Sequence, residues 1–356
     1  MTTSRADVAR SGVDHFRLGM AFAVGSAFAF GMSGPLGKSL MNAGWSPTAA
    51  VTARLAGGAL VMAIFATVMR PGWTRQALAH WPIVLAYGLV PIAGAQLFYY
   101  NAVSHLSVGV ALLLEYTAPI LVVGWLWLTT RTRPSNLTLA GVVTAVTGIM
   151  LVLGVVDSGG FASAHVNLVG VGWGMAAAVC AACYFLLSDR VATGTDDRNG
   201  LDPITLATAG LAVGGAATAL VGAVGIMPLT FTTHDTVIAG VTTSWILPVL
   251  ALGLIPTAIA YTLGIIGIAR LRPRFASLVG LSEVLFAVLA AWVLLGESIG
   301  PVQAVGGVVV LLGLALARQG DRRDSEETVV DEAMWPEIPP GGTAATDAST
   351  TRVGPS

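Results

Sequence analysis

Apolar residues run along this chain in ten long stretches, separated by short polar or turn-forming segments. The stretches cover 18–40, 47–69, 80–101, 107–129, 136–156, 168–190, 203–225, 245–268, 274–295 and 299–317. A helix needs about 20 mainly apolar residues to cross the hydrocarbon core of a bilayer, so each stretch is a candidate transmembrane span. Turn chemistry marks the breaks: Ser46-Pro47, Arg70-Pro71-Gly72, Arg133-Pro134-Ser135, Asp157-Ser158-Gly159-Gly160, Asp196 to Gly200, and Gly300-Pro301. The expected fold is an all-α integral membrane protein with ten transmembrane helices. An N-terminal segment, 1–17, precedes them and a tail, 318–356, follows.

Composition removes the other classes. Of 356 residues, 55% are hydrophobic and 10% charged, whereas a soluble domain carries about 25% charged residues. A soluble enzyme of this size could not cover its surface. Two cysteines imply no disulfide framework. The formal charge of −1 divides into a tail with eight acids and four arginines and a body with 11 acids and 14 bases. That tail passes through Pro339-Pro340-Gly341-Gly342 without apolar periodicity, so it reads as a disordered extension.

Charge also orients the chain. With the N-terminus in the cytoplasm, sixteen of the eighteen basic residues fall in inside segments or the tail, leaving Lys38 outside and Arg54 within the second span. The positive-inside rule then places both termini in the cytoplasm. The expected location is a bacterial cytoplasmic (inner) membrane, crossed many times.

The chain also repeats. A shift of 165 superimposes 88–154 on 253–319 with fourteen identities in 67 positions, among them Pro91/Pro256, Trp127/Trp292, Gly141/Gly306 and Gly148/Gly313. At a shift of 155, Phe30 and Ser33 meet Phe185 and Ser188. The halves are 18–156 and 168–317, with five spans each. Five is odd, so the second half must enter the membrane from the opposite side. Inverted repeats of this kind characterise secondary transporters, whose solute sites lie near the midplane between halves.

Ionisable residues inside a membrane are costly and usually face a cavity. Three lie deep within spans: Arg54, Glu115 and Glu283. Arg54 and Glu115 fall at similar depth, so an orienting ion pair is expected between them. Glu283 has no basic residue at its own depth, which makes it the candidate proton-coupling carboxylate. It corresponds by repeat to Ala118, three residues from Glu115 and on the same helical face. Gln96, Tyr99 and Tyr100 share a face of the third span, Tyr261 is the repeat partner of Gln96, and Tyr116 follows Glu115. With Glu115 they form the candidate substrate-binding set. Trp45, Trp73, Trp81 and Trp245 sit at span ends, where membrane-belt anchoring is expected. Cys180-x-x-Cys183 lies in an apolar helix without a nearby histidine, so no metal site is expected. No phosphate loop and no hydrolase or zinc-protease motif occurs. No cofactor is expected, and the chain is not read as an enzyme.

Leu294-Leu295-Gly296-Glu297 followed by Pro301, Gln303, Gly306 and Gly313 resembles the closing pattern of the EamA-like branch of the drug/metabolite transporter superfamily. Leu106 to Ala111 and Glu115-Tyr116-Thr117-Ala118-Pro119 resemble its fourth helix, most of all in the threonine and homoserine exporter-like subset. Ala53-Arg54-Leu55 resembles its second helix, and Lys38 stands at the basic site that ends its first. The first half departs from the pattern, with Thr129-Thr130-Arg131-Thr132 where its own L-G-E copy would fall. The resemblance covers about 18–317. It implies efflux of amino acids, similar metabolites or drugs by alternating access, either facilitative or by proton exchange. The implied partners are a small solute, a proton and the bilayer, with no nucleic acid, in a monomer or homodimer. Two rivals stay open: a lipid or polyprenyl carrier translocase, which needs a cavity open sideways to lipid, and a receptor or scaffold that transports nothing.

Overall fold

A computed structural model describes residues 5–131, 133–154, 167–193, 201–270 and 273–334. The turns expected at 157–160 and 196–200, and the tail beyond 334, lie outside the described residues. Seven helices are long and apolar enough to span a membrane: Arg17–Asn42, Pro47–Met69, Trp81–His105, Val108–Thr130, Pro203–Ala223, Ile246–Gly267 and Pro301–Gly320. Three shorter apolar helices, Asn136–Val152, Leu168–Cys183 and Val279–Leu295, complete a set of ten among the described residues. We number these ten spans in chain order. The protein is an all-helical membrane protein, with one hairpin among the described residues, joining Thr236–Ile238 to Val241–Thr243 between spans 7 and 8.

Local chemistry sets the span ends. Ser46 accepts a hydrogen bond from Ala49 N and Pro47 opens span 2, while Asp202 accepts from Ile204 N and Pro203 opens span 7. A capping oxygen satisfies an orphan N–H, and proline at the first position has none to satisfy. Helix begins at Arg5, within the N-terminal segment, and the last helix runs from Pro301 to Met334, into the segment expected to be disordered. Charged residues of both signs crowd there, which ends the hydrophobic span but leaves helical propensity intact.

The two halves are built alike and point opposite ways. Span 5 and its repeat counterpart, span 10, touch through glycine: Gly141 lies against Gly313, and Gly148 against Gly306. The numbers rise in one helix as they fall in the other, so the counterparts run antiparallel. Spans 2 and 7 do the same, with Thr52 bonded to Thr218 at 3.1 Å and Gly215 beside Ala56. Span 1 packs on spans 8 and 9, and span 6 on spans 3 and 4, which is the same pairing with the halves exchanged.

A local irregularity repeats as well. Span 3 holds a π-helical stretch at Gly88–Gly94 and span 8 one at Leu254–Ile259, each around its proline. Pro256 has no N–H for the carbonyl of Leu252, and the hydroxyl of Thr257 donates to that carbonyl instead, at 2.9 Å. Outward faces are apolar: Leu60, Ile64, Val68 and Leu128 are each at least 60% exposed. Trp127 and Trp292, the repeated pair, are exposed there too, so they face lipid. Trp45 departs from its expected belt role. It is buried against Phe231 and Trp245, and its indole N–H donates to the Thr232 carbonyl at 2.8 Å.

Candidate functional site

The deep ionisable residues meet at one small cavity of about 40 Å³, lined by Phe30, Ser33, Arg54, Gln96, Tyr99, Leu112, Glu115 and Glu283. Spans 1 to 4 supply seven of these residues and span 9 supplies Glu283. The volume holds about three waters.

Arg54 is 2% exposed, and its guanidinium is held from three sides. Nε donates to Thr257 Oγ1 at 3.3 Å, one terminal nitrogen to the Pro256 carbonyl at 3.1 Å, and the other to Gln96 Oε1. Tyr100 lies beneath it, with the ring centre 5.9 Å from the guanidinium carbon. The π-helical stretch thus does local work: the residues that repair its missing hydrogen bond also receive Arg54. Gly58 allows this close approach, because a side chain there would run into Thr257.

Span 4 breaks at the site. Helix ends at Glu115 and resumes at Ala118, because Pro119 has no N–H to return to the Glu115 carbonyl. Span 9 stays helical through Glu283. Tyr116 joins the two halves at this level, its hydroxyl donating toward Glu283 Oε2 at 2.8 Å and the Gly280 carbonyl at 2.9 Å. Glu115 receives no hydrogen bond from any described residue.

A second polar junction stands at the hairpin end of the molecule. Lys38 Nζ lies 2.6 Å from Glu297 Oε1 and donates to the Leu106 carbonyl at 2.8 Å. Glu297 Oε2 accepts from Val108 N at 3.1 Å, so a carboxylate from the second half caps the helix that carries Glu115. The hairpin is tied to the same end, with Ala239 N donating to the Leu294 carbonyl at 2.8 Å.

The sequence profile of the EamA-like transporter family matches residues 17–154 and 168–319. The chain belongs to the EamA-like transporter family. It is a multi-pass membrane transporter and not an enzyme. Among curated relatives, the threonine/homoserine exporter RhtA of Escherichia coli (strain K12) is 30% identical over 282 residues, covering 77% of this chain and 83% of that one. RhtA of Salmonella typhimurium (strain SL1344) is 30% identical over 305 residues, covering 83% and 90%. An uncharacterized inner membrane transporter of Salmonella typhimurium, YicL, is 25% identical over 240 residues, covering 67% and 74%. A solved crystal structure shares the fold, with a TM-score of 0.54 and 22% identity over 87% of this chain and 98% of that one.

In this EamA-like transporter the expected site residues divide by position. Gln96, Tyr99, Glu115 and Glu283 line the cavity together with Arg54. Tyr116 holds Glu283 instead of facing the cavity as a lining residue. Tyr100 is fully buried behind it, donating to the Ser33 carbonyl at 3.1 Å, and Tyr261 packs edge-on against Phe30 at 5.2 Å. The Arg54–Glu115 ion pair does not form. Both side chains face the cavity, but the ion pairs between described residues are Lys38–Glu297 and Arg70–Asp202. Neutral oxygens from spans 3 and 8 reach Arg54 first. Phe30 and Ser33 went unread as lining residues, although both stand at repeat-matched positions.

Proposed function

We propose that the protein exports amino acids or closely similar metabolites across a cytoplasmic membrane by alternating access, with Glu283 as the proton-linked carboxylate. One observation carries this reading: the deep charges, one arginine and two glutamates, line a single cavity where the halves meet. Its polar lining suits a small hydrophilic solute, as the names of the RhtA relatives suggest. A separate, largely apolar cavity of about 220 Å³ lies between spans 4, 9 and 10 and shares no lining residue with the charged one.

Tyr116 bonds Glu283 across the two halves, so gain or loss of a proton there changes a contact that the halves share. In proteoliposomes, amino-acid counterflow by the native chain should respond to an imposed pH gradient. Glu283→Gln should keep exchange but lose that response. A variant with undiminished pH dependence would remove Glu283 from coupling.

With both termini in the cytoplasm, Lys38 and Glu297 lie on the outer side, where their ion pair joins the two halves. Their ion pair, with each side chain 19% exposed, contributes about 1 kcal/mol, so breaking it should shift the open–closed balance about fivefold. Glu297→Gln in a Ser33→Cys, Cys180→Ala, Cys183→Ala background should raise Cys labelling by an impermeant thiol reagent from outside. Unchanged labelling would mean that closure rests on other contacts.

A further inference from the structure

The cavity contains two opposite charges that do not pair with each other. Arg54 has five N–H groups, of which three are taken by Thr257, Gln96 and Pro256, leaving one on each terminal nitrogen. Its three partners are all neutral, so its charge is solvated but not cancelled. Glu115 faces the same cavity without a donor among the described residues, while Glu283 is engaged by Tyr116. A buried carboxylate and a buried guanidinium are costly when left uncompensated. A ligand with one free carboxylate and one free ammonium would complete both at once.

We propose that the site recognises its solute as a zwitterion of fixed polarity, with the carboxylate at Arg54 and the ammonium at Glu115. This deepens the amino-acid reading and rests on it. The two remaining Arg54 N–H groups sit on the terminal nitrogens, the atoms that grip a carboxylate in charge-assisted hydrogen bonds. The side chain of the solute then lies toward Phe30, Ser33 and Leu112, between one hydroxyl and two apolar groups. The arrangement selects against an amine without a carboxylate, which would meet Arg54 with a like charge, and against an acid without an amine, which would leave Glu115 bare. The present cavity holds only about three waters, too few for an amino acid the size of threonine, so binding such a solute requires the halves to part.

The test is competition in proteoliposomes that exchange labelled threonine, or whichever free amino acid exchanges best. Unlabelled free amino acid, its N-acetyl derivative, its methyl ester, and the amine and acid lacking one end are compared. Free zwitterion should compete at least tenfold better than any compound with one end blocked or missing. In Glu115→Gln the N-acetyl derivative should gain on the free amino acid, while the ester should stay excluded. If the ester or the simple amine competes as well as the zwitterion, the assigned carboxylate pole is wrong. If the N-acetyl derivative does so in the native chain, the ammonium pole is wrong. Exchange of cationic drugs with no exchange of any amino acid would overturn the amino-acid reading itself. Native ligand preferences alone decide between the poles, even if a variant fails to fold.

Discussion

Arg54→Ala should abolish measurable transport and lower the yield of folded protein. The substitution deletes the guanidinium and leaves three oxygens in the interior without a donor: Gln96 Oε1, the Pro256 carbonyl and Thr257 Oγ1. A hydrogen bond between membrane helices contributes roughly 0.6 to 2 kcal/mol, so the loss in assembly is a few kcal/mol at most. The loss in transport should be larger, on the order of 100-fold or more, because truncating one member of a buried charged contact costs about 2–5 kcal/mol. Arg54→Lys separates the two effects. An ammonium can reach one or two of the oxygens and support folding, but it has no fork to present to a carboxylate. Thermal unfolding in detergent and initial rates of exchange measure them independently. Near-native exchange by Arg54→Ala would exclude Arg54 from the solute site.

The second large effect concerns the contact between spans 5 and 10. A Cβ added at Gly306 would stand 2.8 Å from Val152 N and 2.9 Å from the Gly148 carbonyl, both backbone atoms that cannot rotate away. Small residues let membrane helices approach in this way, where packing replaces the hydrophobic drive. Gly306→Val should therefore push the two helices apart, and Gly148→Val should do the same from the other side. Protein reaching the membrane should fall severalfold or unfold at a markedly lower temperature. Gly172→Ala is the control, since a side chain there meets open space and only raises helix propensity. Gly306→Val with native stability would show that the crossing tolerates a wider spacing.

Most of the fold was legible in the sequence because lipid imposes a simple rule: about twenty apolar residues, then a break. The repeat read from Pro91/Pro256 and Gly141/Gly306 reappears as matched π-helical stretches and an antiparallel glycine contact. The hairpin did not show, because six residues of Thr, Val and Ile between polar neighbours have no strand-length pattern. Its turn uses Ala239 and Gly240 at φ of 52° and 75°, and only the glycine hints at it. At the site, depth along each span put Arg54 beside Glu115 and set Glu283 apart, whereas all three line one cavity. Depth could not rank the partners of Arg54. Neutral oxygens from a proline-disrupted helix are invisible to a reading that matches charge with charge. Tyr100, on the same face as Gln96 and Tyr99, lies buried outside the cavity lining for a related reason. Sharing a helical face says which side a residue is on, and not whether a bulkier neighbour stands before it.

The glycine seam between spans 5 and 10 has a mechanical consequence. Two helices in backbone contact cannot slide without lifting over one another, and no side chain at the crossing can change rotamer to let them pass. They can still turn about the point of contact. None of the residues lining the charged cavity comes from either helix. The seam can therefore serve as a fulcrum, with displacement small at the glycines and growing along the lever arms toward Glu115 and Glu283.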